Sequence, residues 1–212
     1  MIKTIKSNYL WIIFFICVLL FLALAEDVFT HEIMKGDIIG YNLVSKYLIK
    51  TNITPIVKYI TWFGSATCLI IISLLTFILK NKKISMCILS NLVIITILNQ
   101  LFKFIFERPR PTEYRIITET GYSFPSGHSM VSMAFYGYII YLIYKNVNNK
   151  YIKWLVISIL SLLIISIGIS RIYLGVHYTS DVLAGFLISI SYLIIYIKYT
   201  KKIIDKDSNY EK

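Results

Sequence analysis

From Tyr9 to Ala25 every residue is apolar or aromatic, and a run of that length limits the folds open to this chain more than any other feature. A helix rises about 1.5 Å per residue, so about 20 apolar residues cross the hydrocarbon of a bilayer. Comparable stretches recur at about 55–79, 84–102, 127–144, 152–169 and 179–196. Six spans are therefore predicted, in a single membrane-embedded domain over residues 1–212. The fold class is all-α, a polytopic six-transmembrane-helix bundle. The basic start at Lys3 and Lys6 and the exit Leu22-Ala23-Leu24-Ala25 imitate a secretory signal. A signal core holds only about 7–15 residues, so an uncleaved first span is the better fit.

Composition agrees, with a mean hydropathy of +0.70 and 16% charged residues. A net charge of +11 would suggest nucleic acid if the cations shared one soluble face. They sit instead between the apolar runs and at the termini, so no nucleic-acid partner is expected. With the N-terminus in the cytoplasm, Lys3, Lys6, Lys80, Lys82, Lys83, Lys145, Lys150, Lys153 and the C-terminal lysines 198, 201, 202, 206 and 212 fall inside. That orientation places both termini in the cytoplasm of a plasma-membrane protein. Cys17, Cys68 and Cys87 lie in or beside apolar runs and are expected to pack without a disulfide.

Smaller features complete the outline. Residues 26–52 mix Ile38, Ile39, Tyr41, Leu43 and Tyr47 with Lys46 and Lys50, which predicts an amphipathic segment in the interface. A linker covering the bundle is preferred for it over a headgroup-handling surface. His31 lies there and receives no role. Thr54-Pro55 predicts a cap and a first helical proline for span two. Trp11 and Trp154 stand at predicted span ends, and Trp62 about two turns inside one. Asn99, one turn before Lys103, is placed to hydrogen-bond within the bundle, and Asn91 to make an interhelical contact.

Charge inside such a chain needs a reason. The stretch Ser170-Arg171-Ile172-Tyr173-Leu174-Gly175-Val176-His177-Tyr178-Thr179-Ser180-Asp181 places His177 and Asp181 four residues apart. On a helix they share a face, where a carboxylate accepts one imidazole proton and leaves the other nitrogen as a nucleophile. Arg171 offers a fork suited to phosphate. The bland alternative is a helix end with a snorkelling arginine and a satisfied His–Asp pair. Two further stretches weigh against it. Lys103 stands seven residues before Arg110-Pro111, and Pro125-Ser126-Gly127-His128 sets a histidine on a turn that opens an apolar run.

These three segments, Lys103…Arg110-Pro111, Pro125-Ser126-Gly127-His128 and Ser170-Arg171…His177…Asp181, resemble the three-part signature of the type 2 phosphatidic acid phosphatase family in order and spacing. The motif-bearing region, about 95–190, is roughly half of the chain. The resemblance implies a membrane lipid phosphatase in which His177 attacks phosphorus to form a phosphohistidine, Asp181 orients it, and His128 protonates the leaving alkoxide. A histidine with a pKa near 6.5 suits that acid role. Lys103, Arg110 and Arg171 supply cations, and the amides at Ser126 and Gly127, where a helix begins, supply donors to a phosphate. Arg108 also precedes a proline, but only Arg110 keeps the family spacing from Lys103, so Arg108 is left out. The motifs hold few hard oxygen ligands, and the resemblance too implies no metal and no cofactor.

Within the family, the chain's size and the run Thr120–Met130 look most like bacterial phosphatidylglycerophosphate phosphatases. Undecaprenyl diphosphate phosphatases share the same motifs, and phosphatidic acid is a further candidate substrate. A phosphotransferase using the same histidine stays open, as does a non-enzymatic lipid-binding or transport relative. The vanadium haloperoxidases share the motifs but are soluble. Alternating spans put the end of span three, the start of span four, the end of span five and the start of span six on one side, so the motifs meet, and the lysines place that side outward. A lipid would come in laterally between helices.

Overall fold

The computed structural model describes residues 2–30, 34–79, 81–113 and 115–207, with the side chains of 2–7, 79 and 205–207 left aside. His31, Lys80 and Lys212 lie outside the described residues. Among the described residues the chain consists of helices and loops: α1 (Ile2–Phe29), α2 (Lys35–Leu48), α3 (Thr54–Trp62), α4 (Ala66–Leu79), α5 (Lys82–Phe106), α6 (Gly127–Asn146), α7 (Lys150–Tyr173) and α8 (Thr179–Asp207). Asparagines cap two of the long helices. The Asn81 side chain accepts the Lys83 N–H at 2.9 Å, and Asn149 accepts those of Tyr151 and Ile152 at 3.0 and 3.2 Å.

Among the described residues four helices are long and apolar enough to cross a membrane: Asn8–Phe29 of α1, α5, α7, and Thr179–Ile204 of α8. The bent pair α3 and α4 makes a fifth if it counts as one span. The remaining predicted span, α6, is a helix of 20 residues, long enough to cross, but its apolar window falls short of the other four. Its position explains its composition. α6 packs against α5, α7 and α8 and buries Ser129, Ser132, Phe135, Tyr136 and Tyr138. A helix with protein on several sides has little need of a lipid-compatible surface.

Where one continuous span over 55–79 was expected, α3 and α4 meet at 46°. A Cβ on Gly64, in the break, would lie 2.7 Å from Ile167 Cγ2 and 3.1 Å from His128 Cδ2, so only glycine permits this approach to α7 and α6. The Phe63 carbonyl at the break accepts the Tyr136 hydroxyl at 2.8 Å, meeting the demand that polar backbone in a bilayer be paired. Thr54 is the first residue of α3 rather than its cap, and its hydroxyl meets the Tyr173 hydroxyl at 2.8 Å. Pro55 remains in the first turn, where its missing N–H costs little.

The segment preferred as a linker contains α2, which does more than cover the bundle. Ile38, Ile39, Leu43 and Tyr47 are exposed, as an interfacial helix requires, but Asp37 on the other face is buried. α2 packs on α7 and α8, and Gly40 is pressed so closely against the Thr179 side chain that a Cβ would collide with it. Phe21, Phe106 and Phe124 stack into a cluster that ties α1 to the end of α5. The three cysteines are buried free thiols.

Candidate active site

The turn between α7 and α8 carries His177, which is buried. Its Nδ1 lies 3.3 Å from Asp181 Oδ2, and the same oxygen accepts the Tyr178 N–H at 2.9 Å. Its Nε2 lies 3.1 Å from Arg110 Nη1. Arginine can only donate, so Nε2 carries the lone pair and the proton sits on Nδ1, toward Asp181. Burial, reinforced by the charges of Arg171, Arg110 and Lys103, holds the imidazole pKa well below 6.5. The geometry agrees, because a protonated ring could not accept from Arg110.

Arg110 is fixed by backbone carbonyls: Nε donates to Gly121 at 2.9 Å, Nη2 to Thr120 at 3.1 Å and Nη1 to Val176 at 3.0 Å. Arg171, at the end of α7, is 1% exposed. It donates from Nη1 to Thr61 Oγ1 at 2.8 Å and from Nη2 to Glu119 Oε1 at 2.6 Å, and its buried Nε has no partner among the described residues. Ser126 caps α6 and its N–H donates to the Asp181 carbonyl at 3.0 Å, which joins the start of α6 to the start of α8. That amide is therefore already engaged, contrary to its expected role as a phosphate donor. A Cβ on Gly127 would lie 3.0 Å from Asn99 Oδ1 and 4.0 Å from Lys103 Nζ. Asn99 bonds within the bundle as expected, donating to the Pro125 carbonyl at 3.2 Å, whereas the buried side chain of Asn91 has no partner among the described residues.

Three charged residues that the sequence did not single out complete the site. Arg108, set aside on spacing, is 5% exposed and bridges Asp181 at 2.6 Å and Asp37 at 2.8 Å. Glu119 is the carboxylate on Arg171; burial would raise its pKa, but the hydrogen bond and charge of Arg171 and the charge of Arg110 hold it below the usual carboxylate range. The one local hint was the doubled Arg-Pro pair, which made Arg108 a candidate before spacing removed it. Asp37 and Glu119 are lone carboxylates with no local pattern.

Lys103, Arg110, Gly127, His128, Arg171 and His177 line one cavity of about 1170 Å³. Its wall continues down α4 and α5 through Ala66, Ile70, Leu89, Leu92, Val93 and Thr96. The cavity therefore has a cationic head and an apolar body, the two chemistries of a lipid phosphate. Residues 84–205, more than half of the chain, match the PAP2 superfamily. The chain belongs to the PAP2 superfamily. This PAP2 chain is 29% identical over 196 residues to phosphatidylglycerophosphatase B of Bacillus subtilis, covering 87% of this chain and 93% of that protein. It is 28% identical over 209 residues to an undecaprenyl-diphosphatase of Sulfolobus acidocaldarius, covering 92% and 94%. Among solved structures it resembles a transmembrane PAP2-type phosphatidylglycerolphosphate phosphatase from Bacillus subtilis, with a TM-score of 0.78, 28% identity, and 88% and 95% of the two chains covered. Aquifex aeolicus LpxE shares the fold, with a TM-score of 0.63, 24% identity, and 75% and 93% covered. The PAP2 chain is a multi-pass membrane protein and a hydrolase of the lipid phosphatase type.

Proposed function

We propose that this PAP2 enzyme removes phosphate from a membrane lipid at the outer leaflet of the plasma membrane, through a phosphohistidine and without a metal. One observation carries the reading: the cavity that holds both histidines and three cations runs on into an apolar cleft between α4 and α5. Phosphatidylglycerophosphate is the first substrate to test, since that activity is in the name of the Bacillus subtilis relative, which the chain resembles both in sequence and in solved structure; phosphatidic acid and undecaprenyl diphosphate follow, the latter named for the Sulfolobus relative.

In this mechanism the phosphate displaces Arg110 Nη1 from His177 Nε2 and takes up the unmet donor on Arg171 Nε. Lys103, Arg110, Arg171 and the Gly127 amide hold its non-bridging oxygens. The Nε2 lone pair forms the N–P bond while the P–O bond to the lipid breaks, and His128 passes its proton to the departing alkoxide. The dephosphorylated lipid leaves through the cleft. Water then attacks phosphorus and gives a proton to His128, the N–P bond breaks, and inorganic phosphate departs. Asp37 and Asp181 are bound to Arg108 and Glu119 to Arg171, which supports charge stabilisation by the protein's own cations.

Six spans, counting α3 with α4 as one and α6 as another, put the ends that carry the site on the side away from the lysine-rich loops. That side is outward, with both termini cytoplasmic, and residues 1–212 form one domain. Phosphate release by detergent-purified protein in EDTA, from the three lipids, tests the whole reading. The parent should release phosphate from at least one lipid and His177→Ala should lose roughly 10⁴-fold or more of the rate. Loss of activity in EDTA, or a His177→Ala enzyme that matches the parent, would contradict it.

A further inference from the structure

Asp37 and Arg108 are buried charges that do not line the main cavity. A buried ion pair adds little stability on balance, and losing one partner costs much, so folding alone is a poor reason for them. The Arg108 guanidinium is held on every side. Nη1 donates to Asp181 Oδ1 at 2.6 Å and to Ser180 Oγ at 2.8 Å, and Nη2 donates to Asp37 Oδ2 at 2.8 Å. The Tyr178 ring covers its face, 4.1 Å from centroid to guanidinium carbon. The other oxygen of Asp37 accepts the Ser180 N–H at 2.8 Å, in the first turn of α8.

Asp181 is thereby used on both sides: Oδ1 belongs to Arg108, and Oδ2 is left for His177 and the Tyr178 amide. Two carboxylates share one guanidinium, which leaves one net negative charge beside an imidazole that becomes cationic as its N–P bond forms. Arg110 also fixes the His177 tautomer through its contact with Nε2. Once Arg110 turns to the phosphate, Asp181 does so alone.

We propose that Asp37 and Arg108 are positioning residues for phosphoryl transfer, clamping Asp181 and the first turn of α8 so that Oδ2 keeps the His177 proton on Nδ1 and Nε2 stays aimed at phosphorus. The clamp rests on His177 being the nucleophile, and it reaches from the interfacial helix α2, through Arg108, to the reacting ring. Loss of an outer partner that orients a metal-bound histidine typically costs about 10- to 100-fold. Asp37→Asn, which keeps the shape, and Arg108→Lys, which keeps the charge, should each lower kcat by about that factor with KM little changed.

A second readout needs no substrate. The chain has three histidines, so ¹⁵N spectra can follow each imidazole tautomer in detergent. In an Arg110→Met background, where Asp181 alone holds the ring, His177 should remain the Nδ1–H tautomer. Adding Asp37→Asn or Arg108→Lys should give a mixture of tautomers. A single Nδ1–H tautomer in all three proteins, or a loss expressed in KM instead of kcat, overturns the proposal. If the parent hydrolyses none of the lipids, the functional reading fails while the tautomers still decide the clamp; if Arg110→Met does not fold, the split between kcat and KM decides it.

Discussion

At the scale of single residues, the site works by holding His177 neutral among cations. In the proposed mechanism it attacks only as the free base, and burial with Arg171, Arg110 and Lys103 nearby holds its pKa below 6.5. Its NMR titration midpoint in detergent should therefore lie below pH 6.5, and the acid limb of kcat that it controls should lie below it too. A midpoint at or above 6.5 would contradict the geometry. The same sign applies to stability: an unfolded histidine takes its proton near pH 6.5, so the contribution of the buried neutral ring is complete above that pH and is lost as pH falls toward the folded value. Glu119 poses a different question, because it holds the Nη2 of Arg171 that a phosphate would want. Glu119→Gln should lower the inhibition constant of inorganic phosphate by about tenfold, the scale of one charged hydrogen bond. A raised constant would mean that Glu119 aims Arg171 and does not compete with the ligand.

At the scale of elements, two glycines set how closely helices approach the site. Gly64→Val would push α3 and α4 against Ile167 and His128. Overpacking of this kind costs about 1–3 kcal/mol, and here it should lower kcat as well as the melting temperature in detergent. Gly40→Ala, against Thr179, should lower stability by a similar amount and loosen α2 from α8, read as faster proteolysis within residues 30–52. What the sequence made legible follows the same division. The segments bearing Lys103, Arg110, His128, Arg171, His177 and Asp181 were readable because together they resemble one family's signature; only the pairing of His177 with Asp181, four residues on, could be argued from local spacing. The break at Gly64 was not readable, since Trp62-Phe63-Gly64-Ser65 scarcely interrupts an apolar run and its cause is a neighbour on α7. Asp37 and Glu119 were hidden for a related reason: their arginine partners stand 71 and 52 positions away. Arg108 was in view, but spacing could not tell a buried guanidinium from an exposed one.

At the scale of the whole molecule, the cavity runs from the cations at the end of α5 down the apolar side chains of α4 and α5. From Lys103 to Leu89 the lining spans about 20 Å of helix, enough for a long acyl or prenyl chain. Val93→Trp should raise KM for long-chain lipid phosphates severalfold through steric filling and leave a short, water-soluble phosphate ester nearly unaffected. Equal effects on both would place the chain elsewhere. α6 carries a last consequence, for how the protein is made. It bears His128 and packs against α5, α7 and α8. Two of those neighbours, α7 and α8, are synthesised after it, and a nascent chain that ends before α8 would leave the helix that carries His128 without one of its packing partners.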